Sequence, residues 1–118
     1  MLNRSGFLKV YLACGSTDMR KQIDGLAAIV QEGFSLDPFS SCLFVFCNKN
    51  RDRCKILQWE HNGFWLYLKR LEKGKFLWPQ ESNSNTIEIS YRELNWLLDG
   101  LSLEQKQAHT KISTRAVI

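Results

Sequence analysis

Between residues 42 and 79 the sequence alternates apolar runs with short polar turns, and this alternation constrains the fold more than any other feature. The runs are CLFVFC, CKILQWE, FWLYLKRL and FLWP, and the turns between them are NKNRDR, HNG and EKGK. Short apolar runs bounded by Asn, Gly and Asp predict β-strands joined by tight turns. We therefore expect a mainly antiparallel meander whose positive charge collects at two of its turns.

The segments on either side of this sheet carry helix signals. Thr17 is a suitable N-cap and Gly33 a suitable terminator, so the residues between them predict a long helix. Its apolar face would carry Met19, Ile23, Leu26, Ala27, Val30 and Phe34. Ser90 and Glu93 match a capping box and Asp99-Gly100 supplies a stop, which predicts a second, short helix over residues 91–99.

Two short apolar runs complete the predicted elements. Residues 7–12 and Thr86–Ile89 are expected to form strands before the long and the short helix, respectively. A chain of 118 residues fits one domain with its own core. We therefore predict a single α+β domain over residues 1–101, in which a mainly antiparallel meander sheet packs with one long N-terminal helix and one short C-terminal helix. Residues 102–118 are polar and predict a flexible tail.

The overall composition is moderately basic. Sixteen Lys and Arg against twelve Asp and Glu give a net charge of +4, which permits nucleic-acid binding without demonstrating it. No apolar run approaches the roughly 18 residues that a membrane span needs, and the N-terminus lacks the apolar region of a signal peptide. We expect a cytoplasmic protein with no membrane partner.

The hairpin around His61-Asn62-Gly63 has two possible turn registers, but both divide its residues between the two faces in the same way. Either His61-Asn62 or Asn62-Gly63 can occupy the central positions, and each register pairs residues whose numbers have an odd sum. One face, expected to be the core face, carries Lys55, Leu57, Trp59, Phe64, Leu66 and Leu68. The other face is mixed and carries Cys54, Ile56, Gln58, Glu60, Trp65, Tyr67 and Lys69.

The two basic turns are expected to lie at the same end of the sheet. Alternate turns of a meander share one end, so the turns over residues 49–53 and 72–75 should be neighbours. We call the positive residues gathered there the basic rim: Lys49, Arg51, Arg53, Lys69, Arg70, Lys73 and Lys75. A one-sided cluster concentrates positive potential, and phosphate contact is one interpretation. The alternative is a solvated surface that keeps the protein soluble and protects sheet edges.

Trp65 and Tyr67 form an aromatic pair on the mixed face, next to Lys69. Aromatic side chains on a sheet can stack unpaired bases. They can equally be buried as core beneath a helix. We favour burial, because two amphipathic helices need a surface on which to pack.

The sequence predicts no catalytic, metal or cofactor site. The acidic residues lie in caps, turns and helix surfaces, whereas a two-metal nuclease needs carboxylates that converge from several strands. His61 and His109 have no nucleophile in a suggestive neighbourhood. The cysteines lack zinc-binding spacing and are predicted to be small apolar residues in a reducing compartment. They are Cys14, Cys42, Cys47 and Cys54.

Three segments together resemble a known family. They are VYLACGSTDMRKQIDGL (residues 10–26), LDPFSSCLFVFCNKNRDRCKILQWE (residues 36–60) and GFWLYLKRLEKGKFLWP (residues 63–79). The ordered motifs TDMRK, DPFS, LFVF, RDR-x-KIL and KRLEKG-x-F-x-WP resemble the small TnpB-type (Orf2) accessory protein of bacterial insertion sequences of the IS66 group. That protein differs from the RNA-guided nuclease that shares the TnpB label.

The resemblance implies participation in DNA transposition beside a larger transposase that carries the strand-transfer chemistry, and it implies no catalytic residues. Our leading hypothesis is a non-enzymatic accessory factor that contacts transposon DNA or the transposase of the same element through the basic rim. Arg20 and Lys21, in the first turn of the predicted long helix, are additional candidates. The second hypothesis is a protein–protein adaptor for the transposase that uses Trp65 and Tyr67 or the tail, without direct DNA contact.

Overall fold

The computed structural model describes residues 9–79 and 84–101, and its five strands form one mixed sheet. The strands are β1 (Val10–Ala13), β2 (Leu43–Cys47), β3 (Arg53–Glu60), β4 (Gly63–Arg70) and β5 (Thr86–Ile89), and their order across the sheet is β4-β3-β2-β1-β5. The predicted meander is present from β2 to β4. However, β1 pairs in parallel with β2 and antiparallel with β5. The α+β class is confirmed, while the meander describes only part of the sheet.

The first helix is much shorter than predicted. It comprises α1 (Ile23–Ala28), which continues as a π-helical turn over Ile29–Gly33. Its end at Gly33 agrees with the prediction, whereas its start after Thr17 was wrong. The predicted apolar face nevertheless packs against one side of the sheet: Met19, Ile23, Leu26, Ala27, Val30 and Phe34.

The segment before α1 is held against the sheet rather than wound into a helix. The backbone N–H of Thr17 donates to the Cys47 carbonyl at the end of β2 (2.8 Å). The ammonium of Lys55 on β3 donates to the carbonyls of Met19 (2.9 Å) and Lys21 (2.8 Å). Because carbonyls of this segment are taken by a lysine from another strand, the helix begins only at Ile23, a long-range effect that local helix signals do not contain.

The second helix, α2 (Tyr91–Leu98), has the predicted ends. Ser90 Oγ accepts the N–H of Glu93 (3.0 Å), and the Glu93 carboxylate accepts the N–H of Ser90 (2.9 Å), which completes the capping box. At the other end Gly100 adopts a φ of 85°, a left-handed conformation that favours glycine. The N–H of Leu101 then donates back to the Trp96 carbonyl (2.8 Å), as in a Schellman motif.

Both faces of the sheet are covered, so β2 is buried along its whole length. The α2 side holds the larger cluster, which includes Val10, Leu12, Leu43, Val45, Ile56, Leu94 and Leu97. The α1 side holds Ala13, Leu26, Val30, Phe44, Phe46 and Leu57. The predicted division of the hairpin residues is confirmed, because Glu60 pairs with Gly63 around a His61-Asn62 turn. The face predicted to be mixed also contributes to the core, because Cys54 and Ile56 pack in one cluster with Leu94 of α2.

The FLWP run does not form the predicted strand. Residues 76–79 follow β4 in the chain without joining the sheet. Phe76 and Trp78 are instead buried in the cluster on the α2 side. The indole N–H of Trp78 donates to the carbonyl of Ala13 at the end of β1 (2.9 Å). The apolar character that suggested a strand therefore serves to close one end of the core.

Two predicted regions lie outside the described residues. They are the start of the first predicted strand, at residues 7 and 8, and the predicted tail over residues 102–118. Within residues 9–79 and 84–101, neither helix is long and apolar enough to cross a membrane.

Candidate nucleic-acid interface

The two basic turns lie side by side at one end of the sheet. Three hydrogen bonds join them directly: Leu71 N–H to the Asp52 carbonyl (2.8 Å), Phe76 N–H to the Arg51 carbonyl (2.7 Å), and Lys75 Nζ to the Asn50 carbonyl (2.9 Å). The His61-Asn62 turn lies at the opposite end of the β3–β4 hairpin. The structure therefore contains the neighbouring turns that the connectivity predicted.

Asn48 organises the first of these turns. Its side-chain oxygen accepts the N–H groups of Asp52 and Arg53 (3.0 Å each), and its side-chain nitrogen donates to Asp52 Oδ1 (2.7 Å). The hydrogen bond from Asn48 lowers the pKa of the Asp52 carboxyl. Asn48 was not among the predicted site residues, although an Asn directly after a strand and before a tight turn is a known turn-forming signal.

The Arg51 side chain stabilises the fold and is not free to contact a ligand. It adopts a φ of 65°, which is unfavourable for a residue with a side chain. Its guanidinium donates to the Trp78 carbonyl (3.2 Å), and the residue is half-buried. Arg51 therefore connects the first basic turn to the segment that closes the core.

Six members of the basic rim are exposed, namely Lys49, Arg53, Lys69, Arg70, Lys73 and Lys75. Arg70 donates from Nε (3.1 Å) and Nη2 (3.0 Å) to Glu72 Oε2. Both partners of this ion pair are largely exposed, and such pairs stabilise a fold only slightly. The exposed positive charge of this end therefore exceeds the negative charge of Asp52 and Glu72.

Lys69 lies on the opposite face from Arg53 and Arg70. Its ammonium donates to the carbonyl of Leu98 at the C-terminus of α2 (2.7 Å), where the helix dipole favours a cation. Strand alternation separates Lys69 from Arg70 although the two are adjacent in sequence. The seven residues of the basic rim therefore do not form one continuous surface.

Arg20 and Lys21 lie in the loop before α1, not in the first turn of a helix as expected. The Arg20 guanidinium forms a bidentate pair with Asp18, with Nε–Oδ1 and Nε–Oδ2 distances of 3.1 Å and an Nη2–Oδ2 distance of 2.8 Å. These hydrogen bonds lower the pKa of Asp18 to about 2. The Lys21 side chain is exposed while its carbonyl is held by Lys55.

Trp65 and Tyr67 stack on the edge strand β4, with ring centroids 6.0 Å apart and an interplanar angle of 10°. Tyr67 packs against the core cluster on the α2 side, and burial raises its pKa. Trp65 is 53% exposed, and its indole N–H donates to Glu60 Oε1 (2.8 Å). The expected core burial therefore applies in part to Tyr67 and not to Trp65.

The cysteines are free thiols, and two of them are core residues. Cys47 and Cys54 are buried and lie opposite each other on β2 and β3. Burial raises the pKa of Cys47 to about 11 and also raises that of Cys54, so both remain protonated at neutral pH. Across the described ranges, no group of three or more His, Cys, Asp or Glu residues is arranged to hold a metal ion.

These features describe a small α+β protein with a basic end built from two joined turns. The chain belongs to the IS66 Orf2-like family, which matches residues 8–108, and it is therefore an insertion-sequence-associated protein. The family resemblance inferred from the sequence motifs is confirmed.

Two relatives come from Sinorhizobium fredii (strain NBRC 101917 / NGR234). The uncharacterized protein y4hO is 36% identical over 107 residues, which is 91% of this chain and 92% of the relative. The uncharacterized protein y4jC is 33% identical over 101 residues, which is 86% of each chain. No solved structure matches the chain significantly.

Proposed function

We propose that this protein is a non-catalytic accessory factor in the transposition of its insertion sequence, and that it contacts transposon DNA through the exposed residues of the basic rim. The family supports the link to transposition. The DNA contact is supported chiefly by the hydrogen bonds that join the two basic turns, from Leu71 to Asp52 and from Phe76 to Arg51. Joined turns keep the positive charges at a defined spacing.

The expected signature of this contact is a steep dependence on salt. The exposed cations of the basic rim that are not bound to α2 are Lys49, Arg53, Arg70, Lys73 and Lys75. Each phosphate that they neutralise releases counterions from DNA. Contact with about three to five phosphates gives a slope of log K against log salt of roughly −3 to −4.5.

The test is fluorescence anisotropy with a labelled duplex from the transposon end, between about 50 and about 200 mM salt. The variant in which Lys49, Arg53, Arg70 and Lys73 are all replaced by Gln should lose binding. A control carries Lys9→Gln and Arg92→Gln, two exposed cations outside the two basic turns, and should retain it. Absence of binding by the wild type at about 50 mM salt would refute the DNA contact.

The exposure of Trp65 on an edge strand favours a second function, namely a protein–protein adaptor for the transposase encoded by the same element. A pull-down of that transposase, with and without transposon-end DNA, separates the two functions. An adaptor captures the transposase without DNA and loses it on Trp65→Ala. Leu77→Ala is the matched control, since Leu77 is also 53% exposed but lies outside the sheet. Capture that requires DNA would contradict the adaptor.

A further inference from the structure

We propose that Arg53 and Arg70, together with Lys55, form a groove that binds one phosphate group of the DNA backbone. This inference rests on the proposed DNA contact and narrows it from the basic rim to one site on the α1 side of the sheet. The groove is lined by Met19, Arg53, Lys55, Leu68, Arg70 and Glu72.

The first argument is the direct opposition of two arginines. Arg53 and Arg70 are register partners on β3 and β4, so their side chains leave the same face of the sheet. The adjacent hydrogen bond between Leu71 and Asp52 makes them a non-hydrogen-bonded pair, with Cα atoms roughly 4.5 Å apart. Like charges directly opposite each other destabilise a sheet. An anion held between the two guanidinium groups removes this repulsion.

The second argument is the buried ammonium of Lys55, two positions further along the same face of β3. Lys55 is 6% exposed and donates to the carbonyls of Met19 and Lys21, which use two of its three N–H groups. Within the described residues, no acidic side chain forms an ion pair with it. Its charge therefore adds to the positive potential of the groove from a site of low dielectric constant.

The third argument is the position of Glu72, the acidic side chain that lines the groove. Its Oε2 accepts from both Nε and Nη2 of Arg70, so this guanidinium already holds an oxyanion. Arg53 forms no side-chain hydrogen bond to the described residues, which leaves its donors available. A phosphate oxygen can replace the exposed Glu72 carboxylate and engage both arginines, because guanidinium groups match phosphate geometry bidentately.

The test compares two pairs of exposed basic-rim residues that carry equal charge. In the DNA anisotropy assay, the Arg53→Gln/Arg70→Gln variant should lose about tenfold more affinity than the Lys49→Gln/Lys73→Gln variant. Glu72→Gln should bind about two- to fivefold more tightly than wild type, because it removes the competing carboxylate. Equal losses of DNA affinity in the two double variants would refute the groove as the phosphate site without refuting DNA binding. Failure of the wild type to bind would instead refute the proposed function itself.

Two further arms separate geometry from charge and DNA from free phosphate. Arg53→Lys/Arg70→Lys keeps both charges but loses the planar guanidinium groups, so we expect about tenfold weaker binding. Wild-type affinity of this variant would refute the role of guanidinium geometry. Inorganic phosphate at constant ionic strength should displace DNA no better than chloride, and micromolar competition would assign the groove to free phosphate. The urea midpoint of Arg53→Gln/Arg70→Gln should equal or exceed that of wild type, because the facing charges are gone. A lower midpoint would contradict the repulsion on which the proposal depends.

Discussion

Replacing Asn48 by Ala tests whether the first basic turn is a defined structure that holds its charges in place. The Asn48 side chain makes three hydrogen bonds, two to backbone N–H groups of Asp52 and Arg53 and one to the Asp52 carboxylate. Each contributes about 1 kcal/mol net. Water replaces part of this in a turn that is only half-buried, so we expect the free energy of unfolding to fall by about 2 kcal/mol.

Urea unfolding followed by tryptophan fluorescence measures this loss. A change of about 2 kcal/mol lowers the midpoint by roughly 1 M. Asn50→Ala is the matched control, because the Asn50 side chain makes no hydrogen bond to the described residues, and it should change stability by less than about 0.5 kcal/mol. If both variants unfold at the same urea concentration, the assigned role of Asn48 is wrong.

The same variant connects the turn to the proposed function. Asn48→Ala removes no charge, yet it releases the backbone N–H groups of Asp52 and Arg53 from their side-chain acceptor. DNA affinity should therefore fall at constant net charge, because ordered charges bind more tightly than the same charges on a loose turn. Unchanged affinity in a destabilised Asn48→Ala protein would show that turn order is irrelevant to the contact.

Three other outcomes test the fold. Trp78→Phe removes the indole hydrogen bond to the Ala13 carbonyl and should cost about 1–2 kcal/mol in urea unfolding, whereas a wild-type midpoint would mean that the 2.9 Å hydrogen bond contributes nothing. Ser90→Ala removes the α2 cap and should cost about 1 kcal/mol, measured in the same way. Hydrogen bonds from Arg20 lower the Asp18 pKa from 3.8 to about 2, so their stabilisation is present above about pH 4 and is lost as the pH falls towards 2. The stability difference between wild type and Asp18→Asn should therefore narrow over that pH window.

The features that the sequence predicts correctly are local ones. The Ser90–Glu93 capping box and the Gly100 stop are set by neighbouring residues, and both ends of α2 are confirmed. The division of the β3–β4 hairpin into faces follows from side-chain alternation alone, so it is correct whichever residues occupy the turn.

The features that cannot be predicted from the sequence depend on residues that are distant in the chain. The start of α1 is shifted because Lys55 binds the carbonyls of Met19 and Lys21, more than thirty positions earlier in the chain. The parallel pairing of β1 with β2 depends on the crossover that contains α1, which turn signals do not specify. Lys55 was itself a readable signal, because a lysine on a predicted core face must find buried acceptors for its ammonium.

The basic rim shows how the same alternation could have sharpened the predicted site. Lys69 and Arg70 are consecutive on β4, so side-chain alternation alone already places them on opposite faces. Only side-chain partners then distinguish a structural cation from an available one: Lys69 is bound to α2, whereas Arg53 has no side-chain hydrogen bond to the described residues. A DNA backbone that contacts Arg53 and Arg70 would therefore approach from the α1 side. The α2 side, where Trp65 is exposed, would then remain open to a protein partner, so the two proposed functions need not compete for one surface.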